Sequence, residues 1–158
     1  MRGEIGEAIA ELTTATDLNP SFAIGQYSLG FALLHAGETT RSLEMAKKAR
    51  RLSPYDPMGF AMIGLRGFSL ALRGEYSQAA ELLADSIKQP NAHFNMVAMA
   101  VVCDALAGHG DAARRDLARL RKARPGYDAK DFLRAYPLQQ AEHTKLIDVA
   151  FRRLEHLA

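Results

Sequence analysis

The 158-residue sequence contains no tryptophan and one cysteine, Cys103. A single cysteine excludes an internal disulfide and the cysteine clusters of structural zinc sites. Long hydrophobic runs are missing too, because the longest apolar stretches, residues 23–36, 58–72 and 96–107, are shorter than the roughly 20 residues of a membrane span. We therefore expect a reducing, cytoplasmic environment and no membrane partner.

Catalytic and metal-binding motifs are also missing. The sequence has no Gly-x-x-x-x-Gly-Lys phosphate loop, and its five histidines form neither a His-x-x-x-His nor a His-Glu-x-x-His pair. Cys103 lies in an apolar stretch, and His109 follows Gly108, so the two do not share a helical face. We interpret Cys103 as a small core residue and predict no catalytic residue, no metal site and no cofactor.

The charges are balanced overall and clustered locally. The formal net charge is +2, and basic residues concentrate in residues 41–51 and 111–124. Both runs fall toward the ends of predicted helices, where the helix dipole favours cations. We interpret them as solvated helix faces, with an acidic protein partner as the alternative. No aromatic residues interleave with them, which disfavours nucleic acid.

A repeat of about 34 residues organises the chain. The markers are Pro20, Pro54, Pro90 and Pro125, spaced by 34, 36 and 35 residues, and Gly37, Gly74 and Gly108 between them. Amphipathic or apolar helical stretches lie on both sides of each glycine. Glycine supplies a left-handed helix cap and proline cannot continue a helix, so the unit is helix, glycine turn, helix, proline turn.

The residues at these positions resemble the tetratricopeptide repeat over residues 4–126. The strongest copy holds Leu29, Gly30, Leu33, Gly37, Ala49 and Pro54 in register, and Gly74-Glu75-Tyr76-Ser77-Gln78-Ala79 resembles the family's turn into its second helix. The resemblance implies an all-α, right-handed α-α superhelix. It would comprise a half repeat in residues 1–20, helix pairs in 21–54, 55–90 and 91–125, and capping helices in 126–158.

A narrower resemblance rests on Ser53-Pro54-Tyr55-Asp56-Pro57 and Arg124-Pro125-Gly126-Tyr127. These strings are similar to the C-terminal helical-repeat region of bacterial class III adenylate/guanylate cyclase-like proteins, a region that also follows winged-helix domains in related regulators. The resemblance implies a regulatory part of a longer protein. On this interpretation Met1 starts a fragment.

Two surfaces are candidate interaction sites. The first helix of each repeat should line a concave groove, with side chains spaced by three or four residues on one stripe. The predicted groove residues are Tyr27, Phe31, Leu34, Phe68, Ala71 and Val102. Alternatives are ordinary repeat packing, or occupation of the groove by the chain's own terminal helix. The predicted self-association edge is Ile5, Ile9 and Leu12, because the first helix lacks a preceding partner.

The sequence therefore predicts a non-catalytic module for protein–protein interaction or oligomerisation. Its partner would be a protein or peptide, including a second copy of the chain. The alternative is a small-molecule-binding helical domain or enzyme accessory domain. It rests on Arg66, an ionisable residue in an apolar helix that would require an anionic partner if buried.

Overall fold

Helices make up all the regular secondary structure of the computed structural model, which describes residues 2–156. Met1, Leu157 and Ala158 lie outside the described residues. The expected fragment start at Met1 and the last two residues of the expected capping segment, 126–158, therefore lie outside them as well. The nine helices in the described part are α1 (Arg2–Leu18), α2 (Ala23–Ala36), α3 (Thr39–Leu52), α4 (Gly59–Leu72), α5 (Tyr76–Ile87), α6 (Phe94–Ala107), α7 (Gly110–Ala123), α8 (Ala129–Ala135) and α9 (Ala141–His156).

Glycine turns separate the two helices of each pair. Gly37, Gly74 and Gly108 have φ angles of 88°, 86° and 81°, in the left-handed region that favours glycine. The backbone N–H of Gly37 donates to Leu34 at 3.0 Å, which satisfies a carbonyl at the end of α2. The predicted left-handed turns at these three glycines are confirmed.

Helices α1 to α7 pack in chain order, each against the next. Helix α4 also contacts α2 and α6, so these three form an inner layer, while α1, α3, α5 and α7 form an outer layer. Small residues allow this close packing: a Cβ added to Gly30 would lie 3.2 Å from the carbonyl oxygen of Ser42 on the neighbouring helix. The all-α array of sequential helix pairs is thus confirmed.

The helix pair in residues 55–90 has more residues between its markers than the first pair, since Gly74 lies 20 positions after Pro54 and Gly37 lies 17 after Pro20. Helices α2, α4 and α6 each have 14 residues, so the first helix of this pair is not longer than its equivalents. The additional residues lie on both sides of α4, in the connection before it and at Arg73 after it. In that connection the Ser53 hydroxyl donates to Asp56 at 3.0 Å, and an Asp56 carboxylate oxygen accepts from the Met58 N–H at 2.8 Å.

The C-terminal segment, defined here as residues 126–156, follows the last helix pair. Asp128 accepts hydrogen bonds from the backbone N–H groups of Lys130 and Asp131 at 2.8 and 3.0 Å and is the N-cap of α8, a role for which aspartate is well suited. Helix α9 buries one apolar face, namely Ile147, Ala150, Phe151 and Leu154. Among residues 2–156, no helix is both long and apolar enough to cross a membrane.

Candidate functional site

The predicted groove residues all lie on the inner layer, but most of them are inaccessible. Tyr27 and Phe31 are half-buried. The other four are fully buried, each with 0% of its surface exposed: Leu34, Phe68, Ala71 and Val102. A partner could not reach these four side chains in this conformation. The C-terminal segment covers much of this side of the array.

Two aromatic side chains of this segment pack onto the inner layer. The ring of Phe132, from α8, lies 5.6 Å from that of Phe68, measured between centroids. The ring of Tyr136 lies 6.1 Å from Phe68 and 6.2 Å from Phe31. Phe132 is 0% exposed and Tyr136 is 3% exposed, so both are core residues. The aromatic stripe expected to receive a partner instead receives side chains of the same chain.

The connection between α8 and α9 is bound to the end of α2. The backbone N–H of Gln139 donates to the carbonyl of His35 at 3.0 Å, and Gln140 Nε2 donates to the carbonyl of Ala36 at 3.2 Å. The ring Nδ1 of His35 lies 3.2 Å from the Pro137 carbonyl oxygen. The hydrogen bonds from Gln139 and Gln140 satisfy two carbonyls at the end of α2 that have no partner within their own helix.

Helix α9 then runs back to the end of α6. Arg153 Nη1 donates to the carbonyls of Ala105 and Leu106 at 3.2 and 3.1 Å. A cation at the C-terminus of a helix is favoured both by these hydrogen bonds and by the helix dipole. The C-terminal segment therefore bridges the ends of α2 and α6.

The sequence raised the alternative that the chain's own terminal helix occupies the groove. The side chains on Phe31 and Phe68 come instead from α8 and the residue that follows it, whereas the terminal helix α9 packs against α6. Binding of a partner to Tyr27, Phe31 and Phe68 stays a prediction, and it requires Phe132 and Tyr136 to move away first.

The predicted self-association edge lies on α1. Its three residues, Ile5, Ile9 and Leu12, are half-buried. Helix α3 packs between α2 and α4, and α5 packs between α4 and α6, whereas α1 packs substantially against α2 alone. Beside this helix, Leu18 and Phe22 are 83% and 47% exposed. One side of α1 is therefore open in the described structure.

Arg66 is exposed, so it does not require the buried anionic partner on which the small-molecule alternative rested. It is the one ionisable residue of α4, and it points out of the core because the rest of that helix is largely buried. Arg66 lines a groove of about 300 Å³ between α3 and α4, together with Lys47, Arg50 and Arg51. We call this site the cationic groove; Met62 and Ile63 contribute apolar lining. Arg66 and the basic residues of α3 are separated in the sequence and meet where α3 and α4 pack together.

Chemistry at Cys103 is disfavoured by its surroundings. The side chain is 0% exposed, and burial followed by the nearby Asp104 charge raises the pKa of its thiol strongly. A thiol that stays protonated is a poor nucleophile. Asp104 accepts a hydrogen bond across 3.1 Å from His109 Nδ1 when that nitrogen is protonated, which explains an acid at an otherwise apolar position. Burial raises the pKa of Asp104, partly offset by His109.

A second depression, of about 410 Å³, lies at the start of α6 between Phe94 and Tyr127. Its cations are already engaged: Arg124 stacks 4.8 Å from the Phe94 ring centroid, and Arg134 pairs with Asp131 at 3.2 Å. Burial raises the pKa of Tyr127 to about 12, so its hydroxyl stays protonated at neutral pH. Among residues 2–156, no cluster of three or more His, Cys, Asp or Glu could hold a metal ion.

Comparison with known protein families places a tetratricopeptide repeat in residues 2–57. The matched part holds α1, α2 and α3, including the open helix and the cation-rich helix of the groove. A search of curated proteins returned no match. The family match covers part of the 4–126 range inferred from sequence, while the sequential helix pairs extend through α7. Residues 2–57 therefore match the tetratricopeptide repeat, within an all-α fold of sequentially packed helix pairs.

Proposed function

We propose that this chain is a non-catalytic protein-interaction module that self-associates through the open side of α1. Tetratricopeptide repeats typically mediate protein–protein interactions, and the match over residues 2–57 supports that class of function. The division into one half repeat, three helix pairs and a C-terminal cap is part of this proposal.

The one-sided packing of α1 is the observation that carries the proposal. In a stack of helix pairs, each outer helix buries apolar side chains against inner helices on both sides. Helix α1 has that support on one side, and Ile5, Ile9 and Leu12 remain partly accessible. Covering them would remove apolar surface from water at about 25 cal/mol per Å². A helix of a second copy would supply the missing neighbour.

Light scattering at several protein concentrations tests this proposal. The wild-type chain should show a dimer fraction that rises with concentration, and Ile9→Lys should be monomeric because a charge would be buried in the interface. Ala118→Lys, which adds the same charge at an exposed position of α7, is the matched control and should dimerise like the wild type. A wild-type chain that is monomeric at every concentration would exclude self-association.

The relation to cyclase-like or winged-helix regulators is a further part of the proposal, supported by the Ser53–Pro57 and Arg124–Tyr127 strings. The coding sequence upstream of Met1 tests it. A cyclase or winged-helix domain there would agree with the proposal, and an unrelated domain would contradict it.

A ligand site near Arg66 is the second candidate function. The cationic groove favours it, because four positive side chains line one depression.

A further inference from the structure

We propose that the cationic groove between α3 and α4 binds an acidic peptide segment of a protein partner. The groove is lined by Lys47, Arg50 and Arg51 of α3 and by Arg66 of α4. This inference rests on the proposed interaction function and names a class of partner for it. It does not depend on self-association through α1.

The sequence spacing concentrates positive charge on one side of α3. Lys47, Arg50 and Arg51 stand at positions i, i+3 and i+4, so their side chains are neighbours on one helical face. Arg66 adds a fourth cation from the adjacent helix, although α4 contains no other ionisable residue. Like charges at such spacings repel, so the cluster opposes folding unless an anion occupies the groove.

Within residues 2–156, these cations have no negatively charged partner. No aspartate or glutamate lines the groove. In the described part of the chain, Lys47, Arg51 and Arg66 take part in no ion pair, and Arg50 donates to the backbone carbonyl of Pro54. By contrast, the arginines at the start of α6 are held by Phe94 and Asp131. The cationic groove therefore keeps its charge available for an external anion.

The extent of the cluster favours a peptide over a small anion. Arg50 lies against Gly59 at the start of α4, because a Cβ added to that glycine would be 3.0 Å from Arg50 Nη1. Arg66 is seven residues further along α4, which is about 10 Å at 1.5 Å per residue. An inorganic phosphate cannot span that distance, whereas about three residues of extended peptide do.

The groove also offers apolar contacts suited to a protein segment. Ile63 is partly accessible in its lining, and Leu52, Tyr55 and Met58 are exposed at the adjoining connection, Tyr55 by 97%. A segment with carboxylates and apolar side chains could pair with the arginines and cover this surface. Nucleic acid fits less well, since such binding calls for a longer basic surface and stacking aromatics along it.

Fluorescence anisotropy with a labelled oligoglutamate peptide of about eight residues tests the proposal, with oligoglutamine of the same length as the uncharged control. The double variant Arg51→Gln/Arg66→Gln should bind about tenfold or more weakly, because two charge-assisted contacts are lost. The matched control is Arg119→Gln/Lys122→Gln, which removes the same charge from exposed positions of α7 and should bind like the wild type. Circular dichroism checks that both variants fold.

Four results would overturn the proposal. Oligoglutamate that fails to saturate the protein at about 1 mM has no specific site. Equal weakening in both double variants indicates general attraction to positive charge. Tighter binding of an oligothymidylate of equal length indicates a nucleic-acid surface, and displacement of the peptide by inorganic pyrophosphate at lower concentration indicates a small-anion site. None of these results affects the self-association test, so the failures of the two proposals are distinguishable.

Discussion

Truncation of Phe132 tests how strongly the C-terminal segment is held on the inner layer. Phe132 is 0% exposed, and its ring lies 5.6 Å from Phe68, 5.0 Å from Tyr136 and 6.4 Å from Phe151. Phe132→Ala removes most of a buried aromatic side chain and leaves a cavity among three other rings. Substitutions of this kind destabilise proteins by about 3–5 kcal/mol. That is a large part of the roughly 5–15 kcal/mol that stabilises a typical domain.

The assay is urea unfolding followed by circular dichroism, with Phe22→Ala as the matched control. Phe22 is 47% exposed, so the same truncation there should cost less than about 1 kcal/mol. A double-mutant cycle with Phe68→Ala should give a coupling energy of about 0.5–1.5 kcal/mol for the ring pair. We therefore expect a large loss of unfolding free energy for Phe132→Ala, and a loss in the double variant that is smaller than the sum of the two single losses.

A loss at Phe132 no larger than at Phe22 would refute this reasoning, because it would mean that α8 is not docked in solution. Additive losses at Phe132 and Phe68 would also contradict direct packing between the two rings. In the first case the inner layer would be open to a partner, and binding at Tyr27, Phe31 and Phe68 would regain support.

Three further predictions concern backbone, capping and pH. Gly108→Ala should destabilise the protein by about 1–2 kcal/mol, because alanine is strained at a φ of 81°. Gly6→Ala in α1 is the control and should stabilise by up to about 1 kcal/mol, since alanine favours a helix and neither added methyl would meet another atom. Equal effects of the two substitutions in urea unfolding would contradict the argument from backbone strain. Arg153→Gln should lower the free energy of unfolding by about 1 kcal/mol, because the Ala105 and Leu106 carbonyls at the end of α6 lose their cation. Arg152→Gln, at the neighbouring exposed position, is the control and should leave stability unchanged. Equal melting temperatures for the two variants would contradict a role of Arg153 in capping α6. Burial lowers the pKa of His35 and His143, so the unfolded chain binds protons more readily than the folded chain. The free energy of unfolding should therefore be highest above about pH 6.5 and fall as the pH drops below it. The double variant His35→Gln/His143→Gln should show a weaker dependence of unfolding free energy on pH, and an unchanged dependence would contradict this assignment.

Local features of the fold were predictable because they depend on local chemistry. Glycine at positions 37, 74 and 108 marks left-handed turns, since other residues pay a steric cost there. Asp128 marks the start of α8 because an aspartate side chain readily accepts from the first N–H groups of a helix. The apolar spacing of Ile147, Ala150, Phe151 and Leu154 indicated which face of α9 is buried.

Features that depend on long-range contacts were less predictable. Helical spacing placed Phe68 on an inner stripe, but nothing in that spacing indicated whether Phe132, 64 positions later, or an external ligand would cover it. Likewise the apolar neighbours of Arg66 did not indicate whether its side chain is buried, because one position of such a helix can face solvent while the rest pack. Its proximity to Lys47 and Arg50 appears only when α3 and α4 are placed side by side.

The return of the chain from its last helix pair to the end of α2 fixes the size of the array. Hydrogen bonds from Gln139 and Gln140 reach His35 and Ala36, more than 100 positions earlier, after the segment has passed Phe68. One more helix pair would move α2 away by about 10 Å, beyond the reach of this segment. An open solenoid can gain or lose units, whereas the contacts of this C-terminal segment fit an array of one length. The C-terminal segment can thus make all of these contacts only when the array has this number of helix pairs.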